Sequence, residues 1–355
     1  MKKFFKYFGL FILVVIISLA VYNLILSQIY KAPESQANLA SEEFQEIKFV
    51  YDFKQTEGEN IWPQLSLTDI PFIVFNDAYE FLFKYHEPGD EWVLIDGIDS
   101  WNGEIYRREA VNPQAFAVNV DGEWVGSLGT KDQMNRSLFL GIRKEVPTVI
   151  SYVFPFFVFK VSDGMHISGT FHEMFHAFQA IKNESKFLEA GNTYTDLESY
   201  PYYDESFIND WNKEGQLLFE AVKTEDEQRF LAVVDSFLLV RENRRTSNAL
   251  GANHISAEKK LEWLEGMAKY VEYRSYILAA EKENIPYKFK TKNAYWQMEQ
   301  KDRLSRLGKH GGDNRFYSSG AAQAFILDRL NADWKSKIME DGIYLEDLIR
   351  EVRES

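Results

Sequence analysis

Five consecutive residues, His172-Glu173-Met174-Phe175-His176, have the types and spacing of a metal-dependent hydrolase. Side chains four apart share one face of an α-helix, so two imidazoles can reach one tetrahedral ion. Zinc suits that donor set, and Glu173 projects beside it as a base. The chain has only six histidines, which makes a chance occurrence of the pattern uncommon.

The flanking residues supply the helix. Ser162-Asp163-Gly164 and Ser168-Gly169-Thr170 carry turn and cap chemistry, and Phe171, Met174, Phe175 and Phe178 follow at helical spacing, which predicts a helix opening near Thr170. Thr170 and Glu173 also fit a capping box, in which the carboxylate bonds back to the cap amide. That reading leaves both histidines as unexplained buried polar groups.

A catalytic zinc takes a third protein ligand and leaves one position to water. The segment Leu261-Glu262-Trp263-Leu264-Glu265-Gly266-Met267-Ala268-Lys269-Tyr270-Val271-Glu272 resembles the third-ligand helix of the gluzincin metallopeptidases, especially the aminopeptidase N-like families. Their Trp-Leu-x-Glu-Gly-x-Ala-x-Tyr pattern carries the ligand glutamate just before the glycine; here one residue before that glutamate is missing. The resemblance implies Glu265 as ligand, with Glu262 and His254 in reserve. Gly266 and Ala268 are small enough to let this helix approach the histidine helix. Glu272 is placed either to accept a hydrogen bond from a ligand histidine or to stand as a solvated charge.

Further on, Phe316-Tyr317-Ser318-Ser319-Gly320-Ala321-Ala322 resembles the Tyr-x-x-Gly-Ala segment of the same enzymes, which implies Tyr317 as hydrogen-bond donor to a developing oxyanion. His254 and His310 are alternative donors on glycine-containing loops. His86 and His166 have no ligand spacing to the motif. Thermolysin-like and aminopeptidase N-like members place the third ligand close behind the second histidine, whereas here residues 177–264 intervene. Gly215–Lys223 and Glu225–Glu242 show helical apolar spacing and Thr224-Glu225-Asp226-Glu227 reads as a capping box, so a helical hairpin is expected there.

The amino terminus sets the address. Met1–Lys6 is basic, and Tyr7 through Leu26 is a nearly unbroken apolar run without a charge, the length of a bilayer-spanning helix. Without a convincing cleavage site this reads as an uncleaved signal-anchor over 7–29, with the lysines cytoplasmic and the rest outside. Beyond Lys31 the chain has 36 basic and 54 acidic residues, net −18, which argues against nucleic acid as a partner. The absence of cysteine excludes disulfides and thiolate ligands and favours a bacterial envelope protein.

The expected fold is α+β: a cytoplasmic segment over 1–6, the transmembrane helix, a polar tether over 30–44, a β-rich lobe over 45–160, and a mainly helical, zincin-like catalytic lobe over 161–355. Strands are expected at Phe49–Tyr51, Phe72–Phe75, Trp92–Ile95, Phe116–Val120 and Val149–Val161, and a short helix at 76–84. Ile150–Lys160 is the expected edge strand for an extended peptide. Together these features predict a membrane-anchored, extracytoplasmic zinc metallopeptidase acting on peptide or protein substrates, an endopeptidase ahead of an aminopeptidase. The competing class is a non-catalytic envelope protein with a structural or vestigial zinc site.

Overall fold

Helix α1 (Lys2–Ile29) leaves most of its apolar side chains exposed, and Phe4–Ile29 is long and apolar enough to cross a membrane. Helix α2 (Ser41–Ile61) instead buries Phe44, Ile47, Val50 and Phe53, one apolar residue per turn. The strand expected at Phe49–Tyr51 is therefore helix, because a period of three to four over the whole segment outweighs three residues of local β-propensity. The computed structural model describes residues 2–95, 101, 103–289, 303–309, 312–330 and 333–354.

The expected tether is not a free linker. Glu34 donates its backbone N–H to Asp77, and its carboxylate accepts from Thr130. Asn76 donates to the carbonyl of Gln36 and Arg107 to that of Ala37. These contacts fasten the stretch to the sheet.

That sheet is mixed and six-stranded, in the order β3-β4-β2-β1-β6-β5. Its strands are β1 (Phe72–Phe75), β2 (Tyr79–Phe83), β3 (Val93–Leu94), β4 (Ile105–Glu109), β5 (Phe116–Val120) and β6 (Glu123–Gly129). The helix expected at 76–84 is a hairpin turn and strand: Asn76 Oδ1 accepts the N–H groups of Ala78 and Tyr79, which turns the chain back so that β2 pairs antiparallel with β1. The sequence reading missed β4 and β6. β6 contains two glycines, and Gly126 answers to packing: a Cβ there would stand 2.9 Å from the carbonyl oxygen of Glu173.

Helices α3 (Lys131–Glu145) and α4 (Thr148–Ser151) follow, then a 3₁₀ turn at Phe156–Phe159. The strand expected at Val149–Val161 does not form. Pro147 and Pro155 each remove a backbone donor, and the carbonyls of Ser151, Tyr152 and Phe154 are taken by the side chain of Asn23.

Helix α5 (Asp163–Lys182) carries the histidine motif across β6 and β5. It opens two turns ahead of Thr170, with Ser162 Oγ accepting from Met165 N–H. Thr170 lies inside the helix, its hydroxyl donating to the His166 carbonyl, so the capping-box reading does not hold.

Helix α6 (Glu184–Gly191) and a short turn lead to the antiparallel hairpin of α7 (Glu205–Lys223) and α8 (Glu227–Ser247), where a hairpin was expected. Asp226, rather than Thr224, caps α8 by accepting from Arg229 N–H. Helix α9 (Ala252–Leu261) passes through one π-helical turn at Glu262–Gly266 into α10 (Met267–Ala280). Helices α11 (Asn314–Leu330), α12 (Trp334–Lys337) and α13 (Leu345–Glu354) complete the described chain.

Two buried ionic networks tie these layers together. In the helical part, Arg241, Arg244 and Arg245 of α8 pair with Glu214, Glu258, Glu262 and Glu346, each acid supplied by a different element. Beneath the sheet, Glu46 accepts from His166 at 2.6 Å and from Lys131 at 3.1 Å, while Glu43 accepts the backbone N–H of Lys131. The second carboxylate oxygen of Glu43 is buried with no partner.

Burial, outweighing the nearby His166, raises the Glu43 carboxyl from 4.5 to about 7. Between those values the folded chain holds a proton that the unfolded chain has lost. Stability therefore falls as pH rises through that window, by roughly 3 kcal/mol in all. Glu43→Gln should match the parent at pH 4.5 and exceed its urea resistance at pH 8. An equal offset at both pH values would refute the assignment.

Candidate metal centre

Two imidazoles from α5 and one carboxylate from the turn before α10 meet at a single buried point. Glu265 Oε2 lies 3.2 Å from His176 Nε2 and 3.5 Å from His172 Nε2. An ion bound tetrahedrally at about 2.0–2.1 Å separates its ligand atoms by about 3.3–3.4 Å, so these spacings are the edges of such a coordination sphere. His172, His176 and Glu265 are 7%, 1% and 3% exposed. They form one of two trios among the described residues whose ligand atoms converge closely enough to hold a metal.

The second trio, Glu43, Glu46 and His166, is a poor metal site. Both ring nitrogens of His166 face acceptors, Nδ1 toward Glu46 and Nε2 toward the Gly129 carbonyl at 2.8 Å. An imidazole donating from both nitrogens is protonated and has no lone pair for a metal. It is a structural ion pair.

At the first trio, each imidazole has a polar side chain beside its second ring nitrogen. Glu272 Oε2 stands 3.3 Å from His172 Nδ1, and the other oxygen of Glu272 accepts from Lys269. Gln179, which the sequence reading overlooked, holds His176: its Oε1 is 3.0 Å from Nδ1, which leaves Nε2 free for an ion. The same amide donates to the carbonyls of Trp263 and Leu264 at 2.9 and 3.1 Å. Those carbonyls belong to the π turn, where wider winding disturbs the regular helical pairing, and Gln179 thereby fastens the third-ligand segment to α5. Its place three residues after His176, on the same helical face, was the available signal.

Gly266 acts differently from expectation. A Cβ on it would stand 2.5 Å from Gly320 Cα, so the glycine admits α11 rather than α5. Gly320 in turn approaches the Glu262 carbonyl, where an added Cβ would stand 2.4 Å away. This backbone contact sets Tyr317 beside the site, its ring stacked on His172 with centroids 5.8 Å apart. Tyr194, also absent from the sequence reading, donates to Glu265 Oε1 at 2.9 Å from the turn after α6, where no motif marks it. Burial first, and then the charge of Glu265, raise both phenols well above the ordinary tyrosine value, so both hydroxyls stay protonated.

The reserve residues are engaged elsewhere. Glu262 is held by Arg241 at 2.6 and 2.9 Å and by the Ser319 hydroxyl. His254 lies on α9 against the Tyr200 ring, with Nε2 3.1 Å from Ser199 Oγ. His310 lies outside the described residues, and His86 is at the exposed surface.

Glu173 is half-buried, and its Oε2 has no hydrogen-bond partner. Burial raises its carboxyl pKa, against the lowering influence of His172 and His176. Burial likewise opposes charge on His172, but Glu265, Glu272 and Glu173 outweigh it and push the imidazole up to about 10. A field that holds a proton so firmly also favours a divalent cation. Donor set, spacing and field all fit a metal ion. Comparison with protein-family models, curated proteins and solved structures gives no match to the chain.

Gln179→Leu should leave the fold in place but weaken metal binding by roughly 10- to 100-fold, read by competition with a chromophoric chelator. Unchanged affinity would remove Gln179 from the site.

Proposed function

We propose that this protein is a membrane-anchored zinc metallopeptidase, similar to the gluzincins, with its hydrolytic domain on the extracytoplasmic side. One observation carries the reading: Glu265 Oε2 lies at tetrahedral edge distance from both imidazole Nε2 atoms, beside a carboxylate, Glu173, whose buried Oε2 has no hydrogen-bond partner among the described residues. A zincin-like catalytic lobe is the corresponding reading of α5 packed under the sheet with the third ligand on a second helix.

His172, His176 and Glu265 would hold the zinc, which when bound supplies a water of lowered pKa and polarises the scissile carbonyl. Glu173 takes a proton as the amide is attacked and returns it to the leaving amine, a task suited to a carboxyl whose pKa burial has raised. Tyr317, protonated, is the donor to the oxygen that gains negative charge, while Tyr194 gives its hydroxyl to Glu265. Glu272 and Gln179 keep the imidazoles aimed.

The peptide-binding strand in this reading is β5, not Ile150–Lys160. β5 is an edge of the sheet, and its Phe116 ring lies 4.6 Å from the His176 ring. An extended substrate can add to its open side through main-chain hydrogen bonds. For topology, the basic Met1–Lys6 segment stays in the cytoplasm while α1 crosses the bilayer. Against a purely structural zinc site, which normally has four protein ligands, stands the count of three among the described residues.

The test is digestion of an unbiased peptide library by the full chain in detergent, with metal content measured in parallel. Glu173→Gln should retain stoichiometric zinc while losing at least about a hundredfold in rate. His176→Ala should lose both metal and activity. Full activity of Glu173→Gln, or parent activity indifferent to a chelator, would overturn the proposal.

A further inference from the structure

Residues 146–159 carry no charge and run from Val146 through two prolines to Phe159. They pack one side against α1 and α3 and leave the other bare. Val149 is 83% exposed, Val158 64% and Phe157 54%, with Ile150, Tyr152 and Phe159 also at the surface. So many large apolar groups in one short segment form a patch that water does not favour.

What this patch faces follows from its attachment to α1. Asn23 is 3% exposed and donates through Nδ2 to the carbonyls of Ser151, Tyr152 and Phe154 at 3.1, 2.9 and 2.9 Å. Tyr22 meets the Phe157 ring edge-on at 6.2 Å. Arg143 donates to Ser27, and Arg136 donates to the Tyr30 carbonyl at 3.2 Å.

These contacts fix the depth. The apolar span Phe4–Ile29 is about 39 Å long at 1.5 Å per residue, against about 30 Å of hydrocarbon, so residues 22–26 lie near the distal boundary of the lipid core. Irregular backbone at that depth needs donors for its carbonyls, since water is scarce there. Asn23, a polar residue in a mainly apolar helix, supplies one donor group to three of them.

We propose that residues 146–159 are a second membrane contact, inserted beside α1 in the distal leaflet with phospholipid as the partner. The inference rests on the reading of α1 as membrane-spanning and goes beyond it: the domain is clamped against the bilayer rather than suspended from a tether. Helix α5 begins at Asp163, just past this contact, and reaches His176 within about 20 Å of its own length. The accessible substrates are therefore polypeptide segments close to the membrane surface. Because the domain is strongly acidic, the contact depends on apolar insertion and not on anionic lipid.

The chain has no cysteine, so single labels can be placed at will. Full-length protein carrying Val149→Cys or Val158→Cys, labelled with a nitrobenzoxadiazole dye, is reconstituted into phosphatidylcholine vesicles with and without doxyl-labelled lipid. Val14→Cys inside α1 and Tyr203→Cys, at a 92% exposed position, are the references. Shallow doxyl lipid should quench the 149 and 158 labels at least about twofold more than the 203 label, with a blue-shifted emission. Quenching at 14 but not at 149 or 158 would overturn the second contact and spare the anchor. No quenching at 14 would overturn the anchor itself. Self-quenching between labels at 158 that dilution with unlabelled protein relieves would show a second copy of the chain on the patch, which also defeats the proposal.

Discussion

A buried carboxylate held between two imidazoles of another helix is the constraint on which the rest of the molecule depends. Taking Glu265 out of water costs several kcal/mol unless partners compensate, and its partners are His172, His176 and Tyr194. Burial opposes its ionisation, yet the two imidazoles hold it well below the ordinary carboxylate range. Such a group stays in place only if both helices are immobile. The Gln179 bridge to the π turn and the backbone contact of Gly266 with Gly320 provide that rigidity.

Three residues upstream, Glu262 has the opposite role. It points into the arginine cluster of α8, where Arg241 also engages Glu214 and Glu346. Removing one member of such a cluster leaves another charge buried and unpaired, which makes the ensemble cooperative. The turn that presents Glu265 is thus anchored by its own neighbour: one acid is neutralised by arginine, and the other is left for the imidazoles. The Ser319 hydroxyl, which donates to Glu262 from α11, couples the helix of Tyr317 to the same anchor.

The sheet side contributes closeness of approach. Gly126 lets the backbone at Glu173 lie directly against β6, and Phe116 on the neighbouring edge strand touches His176. On the other flank, α1 is grasped through Asn23 and Ser27, and the residue after it through the Tyr30 carbonyl. The site and the edge strand therefore belong to one continuous set of contacts running through α5.

The sequence by itself determined the local facts. Apolar periodicity marked the histidine helix and a hairpin within 215–242, the uncharged run marked α1, and the spacing of His172 and His176 put two donors on one face before any packing was known. It also marked Glu265 and Glu272 as acids facing one way on one stretch of helix. Only the tertiary structure decided which acid reaches the imidazoles, because Glu262 and Glu265 differ in whether an arginine from α8 is waiting. The same holds for Gln179, Tyr194 and the identity of the edge strand, and for the loss of the strand expected at Val149–Val161. Each depends on a partner distant in sequence: the Trp263 and Leu264 carbonyls for Gln179, Asn23 for the carbonyls of residues 151, 152 and 154, Glu265 for Tyr194. Periodicity reports which face of an element is apolar, and it carries no information about what that face will meet.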